Sequence, residues 1–394
     1  MPIGYWESEH LLAPADLTII GSGIVGMSTA LHYKKLRPFD KVRIMERDPI
    51  GEGGTTRNAG FACFGGPGEW LDDLDQLGQE GWLRLVEMRI QGLSTLLELH
   101  RPEDLELEWT GGWELFNDDE RGRLRCKQVL ERIDVLNSAV QPLLESGLGG
   151  VNSNRIGQPA LEVDPSRAEA FGAHMAIHLP WEGILHTGKL VSAFHAALED
   201  MGVQRLHGCN IEGLIRSEGT GHGWSISTPR GTFESGKVAV CTNGFAQQLL
   251  PGLEVQTAPN RVLVIRPDQG MPPIGCYHVE DGYLYFRTLA DGHVLYGGGR
   301  QFGIEWPSAD AQPHEFEAVM AEWDRQLLES ARRWVGDVSE VTHRWTGWLG
   351  VGQDREPLIG SSAPGLHHAV RMGGMGIAVG SGIGKELARR MAEE

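Results

Sequence analysis

Gly21-Ser22-Gly23-Ile24-Val25-Gly26 spells a GxGxxG turn, and Glu46 with Arg47 stands about twenty residues beyond it. Glycines so spaced let a chain turn tightly after a strand, bring backbone close to a pyrophosphate, and pack the next helix against the sheet. The N-terminus of that helix attracts the anion. Glu46 is placed to accept hydrogen bonds from both hydroxyls of an adenosine ribose, which fits a ligand without a 2′-phosphate. The chemistry indicated is dinucleotide binding. A lone match is weak evidence where 54 of 394 residues are glycine, so its weight comes from the flanking elements.

Those elements are legible. Leu17-Thr18-Ile19-Ile20 reads as a buried strand, Gly26 to Leu36 as a helix with Met27, Ala30 and Leu31 at core spacing, and Val42 to Met45 as a second strand. A β-α-β unit of about 30 residues implies a parallel pair with a right-handed crossover. Amphipathic helical patterns run from Trp70 to His100 and from Asp118 to Leu144, and we expect these to cap the site. A helix from Gly188 to Met201 leads to a strand at Val203 to Leu206. Another strand, Lys237 to Cys241, ends at the turn Thr242-Asn243-Gly244. Antiparallel patterning follows at Arg261 to Arg266, Tyr283 to Thr288 and His293 to Tyr296, the last two joined around Ala290-Asp291-Gly292. A helix over Glu315 to Val335 comes next. The chain then returns to α/β, with a strand at His367 to Met372, the run Gly373-Gly374-Met375-Gly376, and a helix carrying Ile383, Leu387 and Met391 on one face.

Within the antiparallel part, Tyr283, Tyr285 and Arg287 share a strand face. If that face lines a cleft, Tyr285 and Arg287 position a substrate; otherwise Arg287 is an ordinary paired strand arginine. Phe61, Cys63 and Phe64 either wall the ligand or plug a core. The same choice holds for His186, His343, Trp345 and Trp348, of which Trp348 joins Tyr285 and Arg287 as a substrate-positioning candidate. No histidine motif accompanies Cys63, so it is not read as a nucleophile. The five cysteines never form a CxxC pair, so no metal site or disulfide framework is expected, and a reducing cytoplasm fits.

Composition sets the outer limits. Apolar residues make up 41% and charged residues 22%, which excludes wholesale disorder. Lys and Arg number 35 against 53 Asp and Glu, a formal charge of −18, so nucleic acid is not an expected partner. Met1 to His10 carries Glu7 and Glu9 rather than a basic leader, and Leu17 to Leu31 is too short to span a bilayer.

Four separated segments, in this order, resemble one family. They are Gly21 to Gly26 with Glu46; Thr55-Thr56-Arg57-Asn58-Ala59-Gly60-Phe61; Val240 to Gly244; and Trp345-Thr346-Gly347 through Asp354 and Pro357 to Gly360 to Gly376. The chain resembles the D-amino-acid oxidase family of FAD-dependent oxidoreductases. The resemblance implies a mixed α/β fold, with a Rossmann-like FAD-binding domain (1–70, 150–247 and 345–394) interleaved with an antiparallel-sheet substrate domain (71–149 and 248–344). It implies FAD held along Gly21, Ser22, Gly23, Ile24, Val25, Gly26, Glu46, Arg47, Thr55, Thr56, Arg57, Asn58, Ala59 and Gly60. It adds Ile211 near adenine, Thr242, Asn243 and Gly244, and Gly374, Met375, Gly376 and Ile377 facing the flavin pyrimidine oxygen.

Departures from the family narrow the expectation. Arg57 stands where histidyl-FAD relatives have histidine, and no cysteine lies beside Trp348 to Gln353, so FAD is expected to be noncovalent. Leu349 replaces the arginine that clamps a substrate carboxylate. The strand His293-Val294-Leu295-Tyr296 lacks the lysine that helps oxygen react in some relatives, so oxygen or another electron acceptor is allowed. The expected activity is oxidation of the C–N bond of a primary or secondary amine, amino-acid- or polyamine-derived, by hydride transfer to flavin N5, giving an imine that water hydrolyses. The alternatives are a tRNA-modifying flavoenzyme of the same fold, separable by a gel shift, or a non-catalytic flavin-binding subunit of a larger complex.

Overall fold

Leu17, Ile19 and Ile20 form the strand Ala15–Ile20, which is buried on both faces as a central parallel strand must be. In the computed structural model, which describes residues 4–217, 223–268, 270–308 and 311–394, this strand pairs in parallel with Val42–Met45 on one side and Gly231–Val240 on the other. Gln204–Leu206 and Leu366–Val370 extend the sheet in parallel, and Leu358–Ala363 closes one edge antiparallel. Trp224–Thr228 folds back antiparallel against Gly231–Val240, and Gly213–Arg216 pairs antiparallel with its other edge. The start, middle and end of the chain thus share one sheet, the interleaving expected from the sequence.

The second sheet runs in the order Val338–Val351, Gln256–Pro267, Val294–Gly298, Leu284–Thr288, Cys276–Val279, Gly112–Phe116, Met175–Leu179, Glu162–Val163. Its pairings are antiparallel except the one between Cys276–Val279 and Gly112–Phe116. Helix Pro313–Val335 lays Trp323, Leu327, Ala331 and Trp334 against Leu284 and Phe286 on one face. The alternate residue Tyr285 therefore points toward the first sheet.

Three features depart from expectation. Helices Pro67–Leu99 and Ile133–Leu148, assigned above largely to the substrate domain, join the core of the first sheet, although Glu69, Gln76 and Arg89 of the former line the cavity described below. Amphipathic spacing shows that a face is buried but not against what: here Pro67–Leu99 packs on the C-terminal helix Gly376–Glu393, and Ile133–Leu148 packs on Pro67–Leu99. A Cβ on Gly92 would stand 2.1 Å from the Ala378 carbonyl, so only glycine permits that approach. Second, Glu162–Val163 and Met175–Leu179, assigned above to the first domain, pair into the second sheet. Third, Val338–Val351 runs across the boundary expected at residue 345, paired along Gln256–Pro267. It carries no apolar run because it is an edge strand, half-buried over most of its length. Among the described residues no helix is long and apolar enough to cross a membrane.

Candidate active site

The turn after the first strand has the shape its glycines predict. Gly21 has φ +104°, and a Cβ there would lie 2.7 Å from the Cys241 carbonyl. A Cβ on Gly26 would lie 2.1 Å from the Gly21 carbonyl, so Gly26 sits behind the turn, where helix Ile24–Leu36 meets the sheet. Glu46 leaves the end of Val42–Met45 and is held from two sides: its Oε2 accepts from Ser22 N at 2.8 Å and Ser22 Oγ at 3.0 Å, and its Oε1 accepts from Asp48 N at 3.0 Å. Ser22 therefore orients the carboxylate without lining the cavity itself.

A cavity of about 600 Å³ runs from this turn to the second sheet. Gly21, Gly23, Ile24 and Val25 line it with Glu46, Arg47 and Ile211; Thr55, Arg57, Asn58 and Ala59 form a second side, and Thr242, Asn243 and Gly374 to Ile377 a third. Thr56, Gly60 and Gly244 stand behind. Thr56 Oγ1 ties the loop to Gly51 O at 2.8 Å, Gly60 N donates to Asn58 Oδ1 at 2.7 Å, and Gly244 fits under the Leu349 carbonyl. Trp345 Nε1 donates to Arg57 O at 3.1 Å, and Arg57 is paired with Glu52 at 2.7 Å. The loop is thus fixed from outside while its inner face stays toward the cavity.

At the far end Phe61, Tyr285 and Trp348 line the cavity with Leu349, Asn260 and Cys63. Phe61 packs edge-on against His278 at 5.4 Å and Tyr285 at 5.7 Å, and Asn260 Nδ2 donates to Tyr285 Oη at 2.8 Å. Arg287 does not line the cavity. Its Nη1 donates to the carbonyls of Leu185, Ala59 and Gly60 at 2.8, 3.2 and 3.3 Å, which turns the expected substrate anchor into a brace for the Thr55–Phe61 loop. The shared strand face is real, but an extended loop already occupies it at that register. His186 caps helix Thr187–Asp200 through Nδ1, and His343 is exposed.

The sequence reading missed the polar groups that converge here. His278 Nε2 lies 3.0 Å from Glu182 Oε2, and Phe64 N donates to Glu182 Oε1 at 3.1 Å. The donor atoms of Cys63, Glu182 and His278 all fall within 4.8 Å of one another. Burial alone would lower His278, but the Glu182 carboxylate and its hydrogen bond, helped by Glu69, outweigh it and hold the imidazole above its usual value. Burial, reinforced by Glu182 and Glu69, pushes the Cys63 thiol far up, so it is inert as a nucleophile. Burial opposes ionisation of Glu69, but Arg89 at 2.7 Å and Arg355 at 3.2 Å win and keep it below the usual range. Arg300 lines the cavity at an exposed position, its guanidinium 5.7 Å from the Tyr283 ring centroid, and among the described residues it makes no ion pair. No spacing rule could have joined Glu182 to His278, because they come from a turn and a strand about a hundred residues apart.

The N-termini of helices Ile24–Leu36 and Gly376–Glu393 face this cavity; neither N-cap residue caps its helix through its own side chain, and at the first of them Thr55 Oγ1 accepts from Ile24 N at 2.9 Å. Among the described residues a Cβ on Gly373 or Gly374 would meet nothing within 4 Å, and the buried Thr242 hydroxyl on the cavity wall has no hydrogen-bond partner. Space, donors and an acceptor at Glu46 fit a dinucleotide lying along the cavity.

The sequence profile of the family described as FAD dependent oxidoreductase (DAO) matches residues 16–390. The chain belongs to this family; it is an FAD-dependent oxidoreductase, with FAD as cofactor. It is 26% identical over 388 residues to the probable oxidoreductase OrdL of Rhizobium meliloti (strain 1021), covering 95% of this chain and 82% of that one. It is 22% identical over 392 residues to the gamma-glutamylputrescine oxidoreductase of Escherichia coli (strain K12), again covering 95% and 82%. The glycine oxidase of Geobacillus kaustophilus superposes with a TM-score of 0.67 at 17% identity over 97% of this chain and 95% of that one, a likeness of fold.

Proposed function

We propose that this enzyme oxidises the C–N bond of a primary or secondary amine to an imine, which water hydrolyses. The cavity itself carries the reading, because the cradle described above opens directly onto a chamber walled by the aromatic side chains of Phe61, Tyr285 and Trp348, with His278 and Asn260 beside them. Bound FAD supplies the two-electron acceptor for the carbon beside nitrogen. The turn Gly21 to Gly26 would hold its pyrophosphate, with Thr242 and Asn243 on the same cavity wall and Gly244 behind them. Glu46 and Arg47 would hold the ribose, Ile211 the adenine, and Thr55 to Gly60 the flavin. Gly374 to Ile377 would offer the flavin pyrimidine a helix N-terminus, whose partial positive charge favours the reduced cofactor. Tyr285 and Trp348 confine the substrate. The absence of a histidine at Arg57 and of a cysteine beside Trp348 supports noncovalent FAD.

Leu349 on the cavity wall and the diversion of Arg287 into backbone carbonyls leave the reacting centre without a carboxylate clamp. A carboxylate buried there would suffer a desolvation penalty of several kcal/mol. Arg300, exposed on the cavity wall and without an ion-pair partner among the described residues, suits an anionic group farther from the reacting carbon. A γ-glutamyl or other polyamine-derived amine satisfies both conditions; the similarity to the gamma-glutamylputrescine oxidoreductase supports this choice. The five buried free thiols suit a reducing cytoplasm.

Anaerobic stopped-flow bleaching of the flavin by sarcosine, D-alanine, putrescine and γ-glutamylputrescine, followed by mixing with oxygen, tests the reading. The polyamine-derived compound should reduce fastest. Rapid reduction by D-alanine or sarcosine at micromolar concentration would show that another cation serves as clamp.

A further inference from the structure

We infer that the Glu182–His278 pair is the base that takes the proton from the substrate's ammonium group before the carbon–hydrogen bond breaks. The inference rests on the amine-oxidising reading above. His278 lines the cavity beside Phe61 and directly opposite Tyr285 in the strand register. Its Nε2 is engaged by Glu182, and among the described residues no hydrogen bond reaches Nδ1. With the carboxylate accepting from Nε2–H, the Nδ1 lone pair is free to receive a proton. Glu182 has a fully buried side chain, and a carboxylate is not left in such a place without a partner or a task.

The neighbouring groups single out this pair. Glu69, on helix Pro67–Leu99, is committed to Arg89 and Arg355, and Asp281 to Arg125 at 2.8 Å. Glu114, beside His278 on the adjacent strand, accepts from Gly68 N, and burial followed by the Asp281 charge raises it so that it holds its proton at neutral pH. Cys63 and Cys276 remain thiols for the same reason, burial. Tyr285 is raised by burial and stays neutral. Among the described residues Glu182 has no Lys or Arg partner; His278 Nε2 engages it at 3.0 Å, and beside the Phe64 amide the other groups facing it are the thiols of Cys276, at 4.0 Å, and Cys63, which stay protonated.

The step balances simply. An N–H bond of the ammonium breaks and an N–H bond forms at His278 Nδ1, giving an imidazolium shared with Glu182. The amine nitrogen regains the lone pair that becomes the C=N bond when the neighbouring hydrogen leaves with its electron pair. The imidazolium then returns its proton to water. An aliphatic amine with a pKa of about 10 is neutral to only about one part in a thousand at pH 7, so a local base is worth up to about 10²- to 10³-fold there.

The test is anaerobic flavin reduction from pH 6 to 10 by whichever of the four compounds above reduces wild type fastest, in wild type, His278→Gln and Glu182→Gln, each checked for FAD content and Tm. His278→Gln should be about 10²- to 10³-fold slower at pH 7, and the deficit should shrink roughly tenfold per pH unit until the amine's own pKa is reached. Histidine NMR should show His278 titrating above an ordinary histidine in wild type and lower in Glu182→Gln, a readout independent of turnover. An unchanged His278→Gln rate at every pH, or a deficit that ignores pH, overturns the role of the pair. Should His278→Gln fail to fold, an unchanged NMR titration and pH profile in Glu182→Gln do the same. If no amine bleaches wild type at any pH, the amine reading falls and the base falls with it.

Discussion

Removing the Glu46 carboxylate addresses the dinucleotide cradle at a single point. The carboxylate is pre-set by Ser22 N, Ser22 Oγ and Asp48 N at 2.8 to 3.0 Å, so it loses little entropy when a ribose arrives. Each oxygen keeps acceptor capacity toward the cavity. A hydrogen bond to an ionised acceptor contributes about 1.5 to 3 kcal/mol. Glu46→Ala should therefore weaken FAD binding roughly 10- to 150-fold for one such bond, with more loss if both hydroxyls are held. Glu46→Gln retains one acceptor and should fall between that variant and wild type. The assay is titration of apoprotein with FAD by fluorescence quenching, with ADP as competitor. Both ligands carry the ribose, so both affinities should fall together. Unchanged FAD and ADP affinities in Glu46→Ala would show that the carboxylate only staples Ser22 to Asp48, and the ribose assignment would fail.

Other consequences can be measured as directly. Acid precipitation should release all the yellow colour, because neither attachment residue is present; flavin left in a washed pellet would refute noncovalent binding. Gly23→Val should abolish FAD binding with a modest loss of Tm, since a Cβ at Gly23 meets only Thr55 Oγ1 at 3.3 Å, whereas Gly26→Val, 2.1 Å from backbone, should also unfold the turn. Arg287→Ala should lose FAD retention by freeing the loop carbonyls and leave substrate affinity in the FAD-loaded fraction unchanged, while Arg300→Ala should raise the Kd of an anionic amine several-fold with FAD retention intact; the opposite pattern in a binding assay would restore Arg287 as the anchor. Glu114 is raised from the usual 4.5 to about 8, first by burial and then by Asp281. The folded state therefore keeps a proton that the unfolded chain has lost across that window, and stability falls as pH rises through it. Glu114→Gln should flatten the decline of Tm between pH 5 and 8, and an identical decline would place the titration elsewhere.

The parts of this molecule legible in its sequence are those where one physical constraint acts locally. A turn that must bring backbone to a pyrophosphate requires glycine at Gly21 and Gly26, because backbone carbonyls occupy the space a Cβ would take, and a central parallel strand must be apolar at every position, as Ala15–Ile20 nearly is. Where partners are chosen at a distance, local pattern loses the information. The helical periodicity of Pro67–Leu99 predicts a buried face but not that Gly92 seats it on the C-terminal helix. The alternation at Tyr285 and Arg287 predicts a common face but not that a loop fills half of it. The Glu182–His278 pair is the extreme case: neither residue has a neighbour in sequence that marks it, and only the meeting of the turn after Met175–Leu179 with strand Cys276–Val279 creates the acid–base group. Cofactor cradles read well from sequence because their ligand is bound by backbone in a fixed local geometry. Substrate chambers read poorly because they are built from side chains that several distant elements bring together, and in this fold the second sheet, which carries most of them, gathers its strands from residues 112 to 351.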